Sequence, residues 1–339
     1  MQLSLLNLLR FLAAIHVVSC HFMPNCQWMN HFIYDFIKNG NIAVIFFFVL
    51  SGFVMVLAYG KNKISIKNFY VKRFSRLYPV YILALLFAVG YTFIFGRKLL
   101  PIEQGSEIFY MLGVQSWFSG HETVANPPAW SLSVEFVFYF LFPLVFPFIQ
   151  RNKKLMLIVI SIFWSLTVLW FFSKHNFNSS DVDVFNFHPI YHLSTFFIGA
   201  FTGIIWIQNK DKFNFKLAWT VILLLLIICL IPLPLFYKNH NPILAPLFAL
   251  FIFFIASYEN KKSIKNYKLF NFLGSLSYGI YILHWPLNLY YRFLVDSFNM
   301  SEMVVFLGLV VFLIVVSVLV FKYFEQPLKI KLHSYFSIR

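Results

Sequence analysis

Long apolar runs separated by short polar stretches recur along the whole chain. Ten of them approach or reach the roughly 20 mostly apolar residues that a membrane-spanning helix needs. They cover residues 4–23, 41–59, 77–95, 131–149, 155–172, 190–208, 217–236, 242–257, 270–290 and 303–321. Backbone groups in lipid must be paired within the chain, so these runs predict helices. The pattern predicts an all-α membrane protein, a polytopic bundle of about ten transmembrane helices.

The composition excludes most other classes of protein. Hydrophobic residues make up 60% of the 339 residues and charged residues only 12%, against about 45–50% and about 25% in soluble domains. Three cysteines exclude a disulfide scaffold and a four-cysteine zinc site. No polar segment is long enough for a separate soluble domain, so residues 1–339 are predicted to form a single membrane domain.

The basic residues predict the orientation of the chain. With the N-terminus inside, 20 of the 27 Lys and Arg residues fall in cytoplasmic segments and six in outer loops. Cytoplasmic loops are rich in Lys and Arg, so both termini are predicted to be cytoplasmic. This distribution also explains the net charge of +15 without nucleic-acid binding. A loose lipoprotein cleavage match at residues 17–20 is outweighed by Arg10, which interrupts the apolar stretch.

Ionisable side chains inside the predicted spans are candidate functional residues, because charge in lipid is costly. Arg10 and His21 are 11 residues apart and lie on one helical face, separated by about 16 Å along the axis, whereas His16 points elsewhere. The alternative for Arg10 is that it reaches the cytoplasmic headgroups. A histidine deep in the span on the same face favours a functional pair.

Further candidates lie near the ends of other spans. Arg73 and Arg76 share a helical face at a cytoplasmic end and suit phosphate groups, although an ordinary positive-inside anchor remains the alternative. Glu135 lies five residues into an apolar run, toward the outer side of the membrane, where His21 and His284 are also predicted to lie. The alternative is that Glu135 is a helix-start carboxylate favoured by the helix dipole. The arginines are thus predicted to lie toward the cytoplasmic side of the membrane, and the two histidines and the glutamate toward the outer side. Metal ligation by the histidines and glutamate lacks a supporting spacing.

At these residues the chain resembles the acyltransferase 3 family of integral membrane acyltransferases. The matching motifs occur in family order from Asn7 to Pro327: Arg10 through His21, Phe47–Phe53, Arg73-x-x-Arg76 with Pro79, Trp130-Ser131-Leu132 with Glu135, Ser277-Tyr278 through Tyr281, His284, Trp285 and Pro286, and Glu325 with Pro327. Each motif is weak alone, but six in order are specific.

The resemblance implies transfer of an acyl group, usually acetyl, from cytosolic acyl-coenzyme A to a hydroxyl of a cell-surface or lipid-linked carbohydrate. Acetyl-coenzyme A is expected as a co-substrate, with no bound cofactor and no metal. The expected location is the bacterial inner (plasma) membrane. Some members carry an extra outer esterase-like domain, which this chain is expected to lack, so a separate periplasmic or surface partner is possible.

The resemblance also suggests roles for the candidate residues. Arg73 and Arg76, with Arg10, hold the phosphates of the donor. His21 acts as the general base or briefly carries the acyl group, and Glu135 or His284 orients the base or the sugar. The expected acceptor-site residues are Trp130, Ser131, His284 and Trp285. The alternative functions are a transporter or flippase of lipid-linked glycans and a scaffold subunit; release of coenzyme A by purified protein separates them from the enzyme.

Overall fold

The structure is a computed structural model, and it describes residues 3–26, 29–60, 65–96, 107–175, 186–212, 216–233, 242–261 and 266–337. These segments consist mostly of helices, and the residues described contain no β-strand. The all-α prediction is therefore confirmed.

Thirteen α-helices lie in the described part of the chain. They are α1 (Ser4–Phe22), α2 (His31–Lys38), α3 (Ile42–Tyr59), α4 (Ile66–Phe95), α5 (Glu107–Leu112), α6 (Trp130–Arg151), α7 (Lys153–His175), α8 (Pro189–Asn209), α9 (Leu217–Leu230), α10 (Ala245–Lys261), α11 (Tyr267–Val295), α12 (Glu302–Val320) and α13 (Gln326–Ser337). Two 3-10 turns, Gln115–Trp117 and Pro127–Ala129, precede α6, and a π-helical turn, Phe321–Glu325, joins α12 to α13.

Each of the ten predicted apolar runs overlaps one of these helices. In the run 217–236 the helix ends at Leu230, and residues 234–236 lie outside the described part. Eight helical segments of the described residues are long and apolar enough to cross a membrane, and α9, with 14 residues, is shorter. The chain is a multi-pass membrane protein. The predicted number of about ten spans and the cytoplasmic position of the termini remain predictions.

The chain divides into two compact units, each built from separate stretches of sequence. The first comprises Met1–His21, Asn25–Lys63 and Leu141–Ser275. Its closest helix pair is α3 with α8, where glycines allow the backbones to touch. A Cβ added at Gly52 would lie 2.0 Å from the Phe196 carbonyl oxygen. The sequence therefore brings these two helices together through small residues.

The second unit comprises Phe22–Pro24, Ile64–Phe140 and Leu276–Arg339. It contains α4, α5, α12, α13, the first half of α6 and most of α11. Helix α13 packs along α4. Most of the predicted site residues lie in this unit, on α4, α6 and α11.

Candidate functional site

A pair of arginines lies on α4. The Arg73 and Arg76 side chains are half-buried, whereas that of the neighbouring Lys72 is exposed. The Arg73 guanidinium carbon lies 5.9 Å from the ring centroid of Phe69 and 5.7 Å from that of Tyr139. Aromatic faces attract cations at this distance, so the rings help to fix the guanidinium. The shared face predicted for the two arginines is therefore directed at other side chains of the unit.

Glu135 lies one helical turn from Tyr139 on α6. The Tyr139 hydroxyl donates a hydrogen bond to Oε1 of Glu135. Because Arg73 lies over the ring of the same tyrosine, the prediction that Glu135 is separated from the arginines is wrong. The reason is that α6 begins opposite the middle of α4, where the Phe136 and Tyr81 rings meet edge to face at 6.4 Å.

Tyr278 on α11 connects this group to a second carboxylate. Its hydroxyl donates to the carbonyl of Leu77, next to Arg76, at 2.7 Å. Glu135 and Glu325 both act electrostatically on it. Glu325 ends the π-helical turn and is 6% exposed. Such turns often occur at functional sites, and this one inserts a carboxylate into the polar group.

Lys329 on α13 is a site residue that the sequence analysis did not identify. It is half-buried and lies within electrostatic reach of Arg76, Arg73 and Glu325. Lys329 thus adds a third cation to a group that already holds the carboxylates Glu135 and Glu325, and a bound anion would relieve the repulsion among the cations. The sequence feature that could have identified Lys329 is its four-residue spacing from Glu325, which places both side chains on one helical face.

Two hydroxyl groups meet where α6 begins. Ser131 Oγ and the Tyr281 hydroxyl oxygen are 2.8 Å apart, and each is also within hydrogen-bond distance of the Pro128 carbonyl, at 3.0 and 3.2 Å. Both side chains are buried. Trp130 is buried as well, and its carbonyl accepts a hydrogen bond from Ser116 Oγ at 2.9 Å. The start of α6 is thus held by side chains from the preceding segment.

His284 is fully buried, one turn beyond Tyr281. Its Nδ1 lies 2.5 Å from the Tyr281 carbonyl oxygen. A carbonyl only accepts, so Nδ1 carries the proton in the neutral ring and Nε2 has the lone pair of a base. Phe22 packs edge-on against this ring at 5.8 Å and against the half-buried Trp285 at 5.6 Å. The predicted residues His284 and Trp285 therefore lie together.

Pro286 changes the hydrogen bonding of α11. Proline has no N–H, so the carbonyl of Ile282, four residues earlier, lacks its usual helical partner. Nδ2 of Asn126 donates to that carbonyl at 2.9 Å. Asn126 is 2% exposed, and the sequence analysis assigned it no role. The signal was a proline inside an apolar helix, which creates a carbonyl that some polar side chain must satisfy.

The segment 107–129 is a folded part of the second unit. The Tyr81 hydroxyl donates to the Tyr110 carbonyl at 2.5 Å, and the Tyr110 hydroxyl donates to the His121 carbonyl at 2.8 Å. Burial, with a smaller contribution from Glu122, raises the pKa of Tyr110 to about 12. This tyrosine therefore remains protonated and keeps its donor role at neutral pH. Residues 110 and 111 of this segment accept hydrogen bonds from Tyr81 and Tyr78 of α4, so the segment packs against that helix.

Arg10 and His21 lie on α1, in the first unit. Arg10 is half-buried, and His21 is exposed and acted on electrostatically by Lys38. The expectation that His21 lies deep in the span is wrong, because α1 ends one residue later. His16 has a different environment: its Nε2 lies 2.9 Å from the Phe36 carbonyl oxygen, and its ring stacks on that of Phe36 at 4.7 Å.

The second unit therefore brings together seven of the nine predicted site residues. They are Arg73, Arg76, Trp130, Ser131, Glu135, His284 and Trp285. Among the residues that the structure describes, no group of three or more His, Cys, Asp or Glu side chains is placed to hold a metal ion.

Comparison with known proteins gives relatives over most of the chain. Peptidoglycan O-acetyltransferase OatA of Listeria monocytogenes is 26% identical over 316 residues, which cover 82% of this chain and 48% of that protein. O-acetyltransferase OatA of Staphylococcus aureus is 25% identical over 307 residues (82% and 49%). Acyltransferase MdmB of Streptomyces mycarofaciens is 33% identical over 161 residues (44% and 41%).

This chain thus spans about half the length of the curated relatives it matches. No solved structure matches it. The family model described as an acyltransferase domain matches residues 4–322 and so covers nearly all of the helices of both units. The chain belongs to this family, the acyltransferase 3 family.

Proposed function

We propose that this protein is a membrane O-acetyltransferase that moves an acetyl group from acetyl-coenzyme A to a hydroxyl of a cell-surface carbohydrate. The observation that carries the proposal is the arrangement of the second unit. Half-buried arginines lie beside the half-buried carboxylate of Glu135 and its hydroxyl partner Tyr139, and a buried histidine with a basic Nε2 lies on the same helix as Tyr278. An acyltransferase that uses a phosphate-bearing donor needs both kinds of group.

In this proposal the arginines bind the donor. Coenzyme A carries a diphosphate and a 3′-phosphate, and guanidinium groups bind phosphates through two parallel hydrogen bonds. Arg73 and Arg76 contribute these groups from α4 of the second unit. For Arg10, in the first unit, donor binding stays a prediction of the resemblance. The Arg73 contact with two aromatic rings supports this role because a fixed guanidinium loses less conformational freedom when the phosphate binds.

The reaction needs one proton transfer. The acceptor hydroxyl oxygen attacks the thioester carbonyl carbon, an ester C–O bond forms, and the C–S bond breaks, so coenzyme A leaves as a thiol after it receives the proton. His21 takes this proton from the hydroxyl as the general base, which contributes about 10²–10⁴-fold. In the other route His21 first displaces coenzyme A, which leaves as the thiol with the imidazole proton, and the acceptor hydroxyl then displaces His21 from the acyl group and returns a proton to it. Glu135 acts as a positioning residue through Tyr139, because its carboxylate accepts a hydrogen bond from the Tyr139 hydroxyl.

Carbohydrate is proposed as the acceptor from both the relatives and the site. Two of the relatives are named as O-acetyltransferases, one of them of peptidoglycan. The candidate acceptor site combines hydroxyl, imidazole and indole groups, which suit a polar sugar with apolar faces. These groups belong to Ser131, His284, Trp130 and Trp285. A lipid carrier or a separate surface protein presents the glycan in this scheme.

The decisive experiment measures acceptor-dependent release of coenzyme A by the protein purified in detergent. The substrates are labelled acetyl-coenzyme A and the host's own de-O-acetylated surface-glycan fraction. We expect labelled ester on the glycan and an equal amount of free coenzyme A. Movement of the glycan across vesicle membranes without any coenzyme A release would instead establish a transporter.

A further inference from the structure

The side-chain amide of Asn126 is held in one orientation. Nδ2 donates to the Ile282 carbonyl at 2.9 Å, the carbonyl that Pro286 leaves without a helical donor. A carbonyl oxygen cannot donate, so the end of the amide that faces Ile282 must be the NH₂ group. The other end, Oδ1, therefore has a defined direction and is available only as a hydrogen-bond acceptor.

Oδ1 of Asn126 is a buried acceptor with no hydrogen-bond partner among the residues that the structure describes. The residue is 2% exposed. Buried amide oxygens are almost always paired, so an exception requires an explanation such as a ligand or a trapped water. Gln115, in the same segment, shows the usual case: its Nε2 donates to the Ala129 carbonyl at 3.0 Å, and its Oε1 lies 3.4 Å from the Tyr81 hydroxyl.

The position of Asn126 connects this oxygen with the candidate acceptor site. Its partner Ile282 lies between Tyr281, which contacts Ser131 Oγ, and His284, whose Nδ1 is bonded to the Tyr281 carbonyl. Asn126 also precedes the turn whose Pro128 carbonyl is within hydrogen-bond distance of both hydroxyls. The unpartnered oxygen thus belongs to the same small region as these side chains.

We propose that Asn126 Oδ1 accepts a hydrogen bond from an O–H or N–H group of the acceptor and is a positioning residue for that substrate. Carbohydrates carry several such donors, and the class fits an oxygen that can only accept. The inference rests on the proposed function, since it names how the same site recognises its acceptor. It makes Asn126 a bifunctional residue, with Nδ2 for the fold and Oδ1 for the substrate.

The two functions of the amide are separated by a variant of its partner. Pro286→Ala restores an N–H four residues after Ile282, so the helix can satisfy that carbonyl without Asn126. Asn126→Ala is then made in the Pro286→Ala background, and the pair is compared with Pro286→Ala alone. We expect the half-saturating concentration of the de-O-acetylated glycan to rise about tenfold, with that of acetyl-coenzyme A unchanged.

Asn126→Ala in the otherwise natural protein provides the second measurement, for the case that Pro286→Ala impairs transfer. Gln115→Ala is the matched control, because it removes a buried amide of the same segment whose two ends are both engaged. The control should lower the amount of folded protein without changing the acceptor concentration needed. Asn126→Ala should raise that concentration, measured per folded molecule.

Equal acceptor dependence in Asn126→Ala and Gln115→Ala would overturn the inference and leave only a structural role for the amide. Failure of the proposed function gives a different result. In that case the unmodified protein itself transfers no acetyl group to the glycan fraction, whatever residue occupies position 126.

Discussion

Tyr139 connects the charged residues of the second unit at the scale of single side chains. Its ring lies under the Arg73 guanidinium, and its hydroxyl donates to Glu135. A carboxylate buried in a membrane protein is costly without such partners. The tyrosine therefore supplies Glu135 with one of the partners that it needs in the site.

Arg76→Lys tests the donor site. A lysine keeps the charge but cannot form two parallel hydrogen bonds to a phosphate. We expect the half-saturating concentration of acetyl-coenzyme A to rise about tenfold, since one charge-assisted hydrogen bond contributes about 1.5–3 kcal/mol. Lys72→Gln, which changes an exposed cation in the same helix, is the control and should have little effect. A change confined to acceptor binding would contradict the assignment of the two arginines to the donor site.

His21→Ala tests the general base. Loss of proton transfer should lower the transfer rate by at least about 10²-fold while the protein inserts normally. His16→Ala should act on stability instead, because it removes the hydrogen bond and ring stacking with Phe36. His284→Gln is measured in parallel, since its Nε2 is the alternative base. Near-normal transfer by His21→Ala together with inactivity of His284→Gln would reassign the proton transfer to His284.

The sequence predicted which residues belong to the candidate site better than it predicted which of them lie next to each other. Helical periodicity correctly separated His16 from the face of Arg10 and His21, because it depends on local geometry alone. Counting residues from each predicted membrane boundary wrongly placed Glu135 away from Arg73. Such counting ignores that α6 starts opposite the middle of α4. For Asn126 and Lys329 the sequence held only indirect signals, Pro286 and the spacing from Glu325, because their partners Ile282 and Arg76 come from distant segments.

The pair α3 and α8 shows how small residues determine helix packing. A Cβ at Gly199 would lie 1.9 Å from the Val49 carbonyl oxygen, and one at Gly203 would lie 2.9 Å from Val56 Cβ. The spacing Gly199-x-x-x-Gly203 is a known signal for close helix contact. The sequence analysis noted only the Phe47–Phe53 motif, which contains the opposing glycine of α3.

Gly52→Ala should separate α3 from α8. The added methyl group meets backbone atoms of Phe196 and Ala200 at 2.0 and 2.7 Å, and backbone cannot move aside as a side chain can. We expect a loss of about 1–3 kcal/mol of stability, seen as a lower temperature for loss of the monodisperse peak in detergent. Gly279→Ala, where the nearest atoms lie at 3.6 Å, is the control and should be tolerated.

Glu259 anchors the beginning of α1. Its carboxylate accepts hydrogen bonds from the backbone N–H groups of Ser4 and Leu5, which have no partner within the helix. Glu259→Ala should therefore lower stability by about 1 kcal/mol and make the N-terminus easier to cleave with protease. Glu302→Gln is the control, because its ion pair with Arg292 is exposed and such pairs contribute little. Equal effects of both changes would contradict the anchoring role.

Apolar length predicted the helices well, since burial of backbone in lipid leaves few alternatives. It did not predict α2, α5 and α13, which are short or polar, nor the π-helical turn at Phe321–Glu325. These elements depend on packing against neighbours, as α13 does against α4. The division into two units was also beyond the pattern, because each unit combines stretches that are far apart in sequence.

The charge distribution of the whole molecule predicts its orientation. Since 20 of the 27 basic residues fall on one set of connections, both termini should be cytoplasmic. Reporter fusions after residues 154 and 268 should behave as cytoplasmic and fusions between residues 97 and 106 as external. The inverse pattern would require both the proposed donor and acceptor sides to be exchanged.

The sides from which the two substrates enter follow from this orientation. In the proposed reaction the acyl group passes from the donor groups to the acceptor groups of the second unit. Tyr278, bonded beside Arg76, and His284 are six residues apart on α11, about 9 Å along the helix axis, against a hydrocarbon core of about 30 Å. An acetyl group held by the pantetheine arm therefore needs to move only a short distance between the two groups.

Sealed vesicles of known orientation test this arrangement. Acetyl-coenzyme A is supplied on the cytoplasmic face and the de-O-acetylated glycan only on the outer face. We expect acetyl esters on the glycan, because the donor reaches Arg76 from one side and the acceptor reaches Ser131 and His284 from the other. Transfer only when both substrates share the cytoplasmic side would show that the acceptor enters from the donor's side.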